Sequence, residues 1–201
     1  MHSLVGPLFP AVRRTCRAIG LGIALALLPG STRLQAATVC VLTPRLAFDA
    51  RAEAVAAVPI GAPTILSTES LEELRIERDG EVLWQRRALP GEPIEGPIPW
   101  PLAPIRPGER LVLLLRPLGI PDDDFAIIRL EGDTAERMAR AQRELDSLGR
   151  DPLAWWAAIQ RSFERGDLNL GLALLFALEG PASPRIDNLR RAVFLAGCGG
   201  S

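Results

Sequence analysis

Lysine and tyrosine are absent from the 201 residues, and the single histidine is His2. Every other basic side chain is an arginine, whose guanidinium stays protonated at physiological pH and trades no proton. These absences remove the commonest general base, the Schiff-base amine and the commonest metal ligand, and with them serine-hydrolase, zinc-hydrolase and pyridoxal chemistry. No G-x-S-x-G, no Walker loop and no G-x-G-x-x-G occurs. Acids are plentiful, but no two of them stand in a glycosidase or protease context. The inventory predicts a non-catalytic protein that needs no cofactor and no metal.

Long hydrophobic runs are also scarce. The clearest, Ala18 to Leu28, is too short to span a bilayer. Arg13, Arg14 and Arg17 precede it, Pro29 and Gly30 break it, and Leu34-Gln35-Ala36 supplies a small residue at a cleavage site. Residues 1–36 therefore read as a secretory signal, and the expected location is periplasmic or secreted, with no membrane span after cleavage. That segment holds four of the 23 arginines and none of the 24 acids, so the remainder carries 19 against 24, about −5. A mildly acidic chain without a long basic stripe is a poor partner for nucleic acid.

Cysteine is rare as well. Of the three, Cys16 leaves with the signal, and Cys40 and Cys198 are left at opposite ends of the mature chain. In an oxidising compartment they either pair, clipping the tail to the first strand, or stay apart with Cys40 buried and free. Spacing does not choose between the two.

What is present falls into two halves. Residues 37–131 are punctuated every 8 to 15 positions by Pro or Gly, with short apolar or alternating runs between, the pattern of a small antiparallel β-sandwich. The clearest element is a hairpin: Leu74 and Ile76 alternate with charges, Asp79-Gly80 supplies a type I′ turn, and Val82 and Trp84 return. One face is expected to bury all four apolar side chains. Other strands are expected at Val39 to Leu42, Thr64 to Ser67, Arg110 to Arg116 and Phe125 to Glu131. Asp49 to Val58 is helix or strand. Seven prolines between Leu89 and Gly108 deny that segment both ladder donors and helical turns. It is expected to cross between sheets with Trp100 covering an edge, or to offer Trp100 as the anchor of a polyproline ligand.

Residues 132–201 read as a bundle of about four short helices. Asp133 and Glu136 suggest a capping box, with Ala135, Met138, Leu145 and Leu148 on one face up to Gly149. Asp151-Pro152 opens a second helix up to Gly166, Leu168 to Leu178 forms an apolar central one, and Ser183-Pro184 starts a fourth with Arg185, Arg190 and Arg191 outside. Trp155 and Trp156 cannot share one face, and Trp156, on the side of Ile159 and Phe163, is expected in the core.

Apolar side chains exceed what two small cores need. Trp155, Leu170, Leu174, Phe194 and Leu195 are thus candidates, with Trp100, for a partner-binding surface. Asp122-Asp123-Asp124 lacks calcium-loop spacing and reads first as a solvated turn.

The hairpin ending Val82-Leu83-Trp84, the Pro-rich crossing, and Leu102-Ala103-Pro104-Ile105-Arg106-Pro107-Gly108-Glu109 leading into a strand resemble a bacterial envelope family. That family pairs an immunoglobulin-like sandwich with a helical C-terminus. The resemblance implies an α+β fold and brings no functional residues. The expectation is an exported envelope protein that binds an unidentified protein partner or serves structurally; the alternative is a carbohydrate- or calcium-binding β-sandwich.

Overall fold

The computed structural model describes residues 39–45, 47–48 and 54–197. Residues 1–36, expected to be a secretory signal, and Cys198 lie outside them. The fold is mixed α+β, with two sheets followed by four helices.

Among the described residues eight strands precede the helices: β1 (Val41–Thr43), β2 (Ala47–Phe48), β3 (Ala54–Val58), β4 (Leu66–Ser67), β5 (Leu71–Arg78), β6 (Glu81–Arg87), β7 (Arg110–Pro117) and β8 (Ala126–Gly132). The main sheet has the order β2-β3-β8-β7-β5-β6, and β1 pairs with β4 in a separate two-stranded ribbon. Every neighbouring pair in the main sheet is antiparallel except β3 and β8, which run parallel with Val55 opposite Arg129 and Val58 opposite Gly132. The main sheet is thus mixed, not the all-antiparallel arrangement expected. Parallel neighbours require a long connection between them, and the whole of β4 to β7 supplies it. The Ala-rich β3 carries no alternation that could have announced its direction.

The hairpin forms where expected. Asp79 (φ 50°) and Gly80 (φ 83°) supply the two positive φ angles of the turn. Its face differs, however. Ile76 pairs with Trp84 but Glu77 pairs with Val82, so Leu83 is an extra residue on β6. A bulge of this kind shifts the side-chain alternation beyond it. Leu74 and Ile76 are fully buried and Trp84 packs partly against them, whereas Val82 is 47% exposed.

Two cores meet at the β1–β4 ribbon. Val41 and Ile65 join Leu74, Ile76, Leu113 and Leu115 under the main sheet, while Leu42 and Leu66 join the helices. Successive strand residues point to opposite faces, so a ribbon apolar on both sides forms the wall between the cores. The Pro-rich segment closes the first core with Ile94, Ile98 and Ile105, anchored through single bridges from Ile98 to Ile65 and from Ile94 to Leu71.

The helices are α1 (Ala135–Leu148), α2 (Pro152–Glu164), α3 (Leu168–Leu175) and α4 (Pro184–Ala196). The cap of α1 is Thr134, one residue later than expected, its hydroxyl accepting from the Arg137 N–H at 3.3 Å. Asp133 stays with the strands, donating its own N–H to the Val58 carbonyl. Asp151 caps α2 as expected, accepting from the Leu153 N–H at 3.0 Å. Residues 170–176 are all buried, making α3 the centre of the bundle. Arg190, expected outside, is half-buried and donates its Nε–H to the Leu175 carbonyl at 2.6 Å. The end of α3 is buried, and its orphan carbonyls need a donor away from water.

The tryptophan assignment reverses. Trp155 is 2% exposed with its indole N–H on the Gly149 carbonyl at 3.0 Å, and Trp156 lies half-buried with the Arg185 guanidinium 5.2 Å from its ring. Periodicity required at least one of the two in the core; the position of α1 and its terminal loop selected Trp155.

Candidate functional site

The six side chains singled out for partner binding do not come together. Trp155, Leu170 and Leu174 are buried in the helical core and present no surface. Phe194 and Leu195 are exposed at the end of α4, Leu195 by 78%. Trp100 is half-buried, with its indole N–H tied to the Ala103 carbonyl at 3.0 Å. It lines a cleft of about 250 Å³ with Ile60, Pro63, Gln142, Leu145 and Leu178.

Cys40 is disulfide-bonded, its partner outside the described residues. Asp122 pairs with Arg116 at 2.9 Å, and Asp124 donates its N–H to the Pro121 carbonyl at 3.1 Å, so this triplet begins as a hydrogen-bonded turn. Among the described residues, no group of three or more His, Cys, Asp or Glu is placed to hold a metal. Nor is any of their helices long and apolar enough to cross a membrane.

The open edge of the main sheet offers a different surface. β6 is its last strand, with β5 its one neighbour among the described residues. Next to the hairpin lies a cleft of about 700 Å³, lined by Leu83, Leu102, Pro104, Pro107 and Leu111, with Arg78 and Arg106 among its charged groups. Arg78 is held by Glu109, which also accepts from the Arg106 N–H at 2.8 Å. An apolar floor beside free backbone donors and acceptors is what an added strand requires: the edge supplies main-chain hydrogen bonds and the cleft accommodates side chains.

The sheet face turned away from the core carries a buried ion network that sequence reasoning missed. Glu73 on β5 is 2% exposed and accepts from Arg75, Gln85 and Arg116, with Arg87 at 3.4 Å. Burial by itself raises the Glu73 pKa, but hydrogen bonds from Arg75, Gln85 and Arg116 and the charge of Arg75 outweigh it, and the carboxyl is held below its ordinary value. Arg116 on β7 also reaches Glu72 at 3.0 Å, and the Phe125 ring lies 4.5 Å from the Arg75 guanidinium and 5.9 Å from that of Arg116. Glu73 is therefore a fixed anion at neutral pH, suited to holding β5, β6 and β7 together and unsuited to donating a proton. The available signal was the doublet Glu72-Glu73, which breaks the alternation of β5 where its pairing with β7 slips between Leu71 and Glu73.

Comparison with protein-family models, with curated proteins and with solved structures found no match for this chain.

Proposed function

We propose that this chain is an exported, non-catalytic envelope protein that works by binding another protein, and that an extended segment of the partner adds to β6. The observation that carries the reading is the open β6 edge beside the 700 Å³ cleft, whose lining joins Leu83, Leu102, Pro104 and Leu111 to Arg78, Arg106 and Glu109. The poverty of the sequence in general bases and nucleophile-activating groups supports it from the side of chemistry. Val82, exposed on β6, and Leu83, facing the cleft, are the contact residues assigned to the partner.

The test is affinity capture from envelope extracts followed by hydrogen exchange on the complex. The expected result is a partner whose binding slows amide exchange in residues 83–87 and is lost in Val82→Glu. A partner retained by Val82→Glu and lost in Leu195→Glu would move the surface to the end of α4 and overturn the β6 assignment.

Carbohydrate binding has one supporting observation, the Trp100 ring in a cleft that also contains Gln142 and Glu179. Quenching of Trp100 fluorescence by a glycan, absent in Trp100→Phe, would favour that second reading over the first.

A further inference from the structure

On the helical side, four arginines from three segments of chain line one cleft. Arg45 follows β1, Arg137 and Arg140 lie on α1, and Arg165 is the C-cap of α2; the cleft measures about 550 Å³ and includes Asp167 and Leu168 at the start of α3. A neighbouring hollow of about 200 Å³ shares Arg137, Arg140, Arg165 and Asp167 and adds Glu144.

The charges are poorly neutralised from within. Arg137 is the exception, with Asp133 at 3.2 Å and Asp167 at 3.1 Å. Arg140 has only Glu136, one helical turn back, whose side chain is 83% exposed and screened by solvent. Arg165 reaches Glu144 only at 3.9 Å. Arg45 has no ion pair among the described residues. Among the lining residues of the main cleft, four guanidiniums face the single Asp167 carboxylate, while Asp133, Glu136 and Glu144 approach three of those guanidiniums from outside the lining. Like charges gathered in a concave site repel one another unless an anion joins them.

We infer that this cleft binds a compact small molecule carrying more than one phosphate-type oxyanion. Guanidinium forks match the oxygen geometry of phosphate and donate in pairs, which an ammonium cannot do. The volume exceeds what a single phosphate needs, and the arginines surround a hollow instead of running along a stripe, which suits a compact polyanion and not a polymer backbone. The first turn of α3 opens at the same wall, but its Leu170 N–H is already taken by the Asp167 carboxylate at 3.2 Å, so the guanidiniums carry the recognition. No aromatic ring lines the cleft, so recognition rests on charge and hydrogen bonds.

The probe is inorganic pyrophosphate, titrated calorimetrically into the mature protein at constant ionic strength. The arms are wild type, the double variant Arg45→Gln/Arg140→Gln, and Arg106→Gln as a control at the other cleft. Arg140 is 65% exposed and Arg45 is half-buried, and a thermal melt of the double variant matching wild type accompanies the titration as the check on its fold. The expected result is saturable binding, unchanged in the control and weakened at least tenfold in the double variant, on the order of one charge-assisted bond lost. No saturable binding up to about 10 mM, or equal affinity in all three proteins, would overturn the inference. So would binding seen only with phosphatidylglycerol vesicles and not with pyrophosphate, because the ligand would then be a membrane surface.

Discussion

A β-carbon built on Gly132 would lie 2.0 Å from the carbonyl oxygen of Arg106. The two segments are locked together there: the Gly108 N–H donates to the Gly132 carbonyl at 2.8 Å, and the Gly132 N–H donates to the Glu109 carbonyl at 2.9 Å. The end of the Pro-rich segment thus closes on the last residue of β8, where the sheet hands over to α1. Ile105 packs at the same point, its Cγ2 3.2 Å from that hypothetical β-carbon. Backbone contact this close requires glycine.

Gly132→Ala is therefore expected to destabilise the fold by about 1 to 3 kcal/mol, the usual cost of forcing atoms into a packed site. The opposing atom is backbone and cannot rotate away. Urea denaturation monitored by tryptophan fluorescence checks it, and an unchanged midpoint would show that the Pro-rich segment moves aside freely.

Glu73→Gln removes the charge at the centre of the outer-face network and leaves Arg116 without the one fully buried carboxylate among its three described counter-ions, costing about 3 kcal/mol. The Glu73 pKa is lower in the folded chain than in the unfolded one. Its contribution is thus complete above the unfolded value, about 4.3, and is lost as pH falls through the lower folded value. The stability gap between wild type and variant should stay constant from pH 7 to 5 and close at more acid pH. A gap that persisted there would mean that the carboxylate charge contributes nothing.

Trp155→Ala opens a cavity among α1, α2 and α3 and should cost about 3 to 5 kcal/mol. Trp156→Ala removes a half-buried ring and one cation–π contact, and should cost less. Thermal melting of the two variants side by side decides the order, and equal losses would contradict the burial pattern.

Non-reducing peptide mapping of the exported protein should find Cys40 joined to Cys198. Cys40 is disulfide-bonded and packs against the same cluster as Val193, four residues before Gly197. Export is expected to remove everything through Ala36, Cys16 included, which intact mass will register. Cys40→Ser should lower stability by about 2 to 4 kcal/mol, because the bridge closes a very long loop. A peptide linking Cys40 to Cys16 would refute both the pairing and the cleavage.

What the sequence determined by itself was local. The Asp79-Gly80 turn, the Asp151 cap with its proline, the break at Gly166 and the apolar α3 all follow from φ preferences, caps and periodicities that neighbouring residues set among themselves. Tertiary structure decided which strands became neighbours, that β3 runs parallel to β8, and that Trp155 rather than Trp156 is buried. It also paired Glu73 with Arg116 across 43 residues and gathered Arg45, Arg137, Arg140 and Arg165 around one cleft. These outcomes depend on contacts between segments far apart in the chain, and no local spacing encodes which distant partner will close the loop at the lowest free energy. The shifted faces have the same cause: one extra residue at Leu83 exposed Val82, and one strand hydrogen bond at Asp133 moved the α1 cap to Thr134.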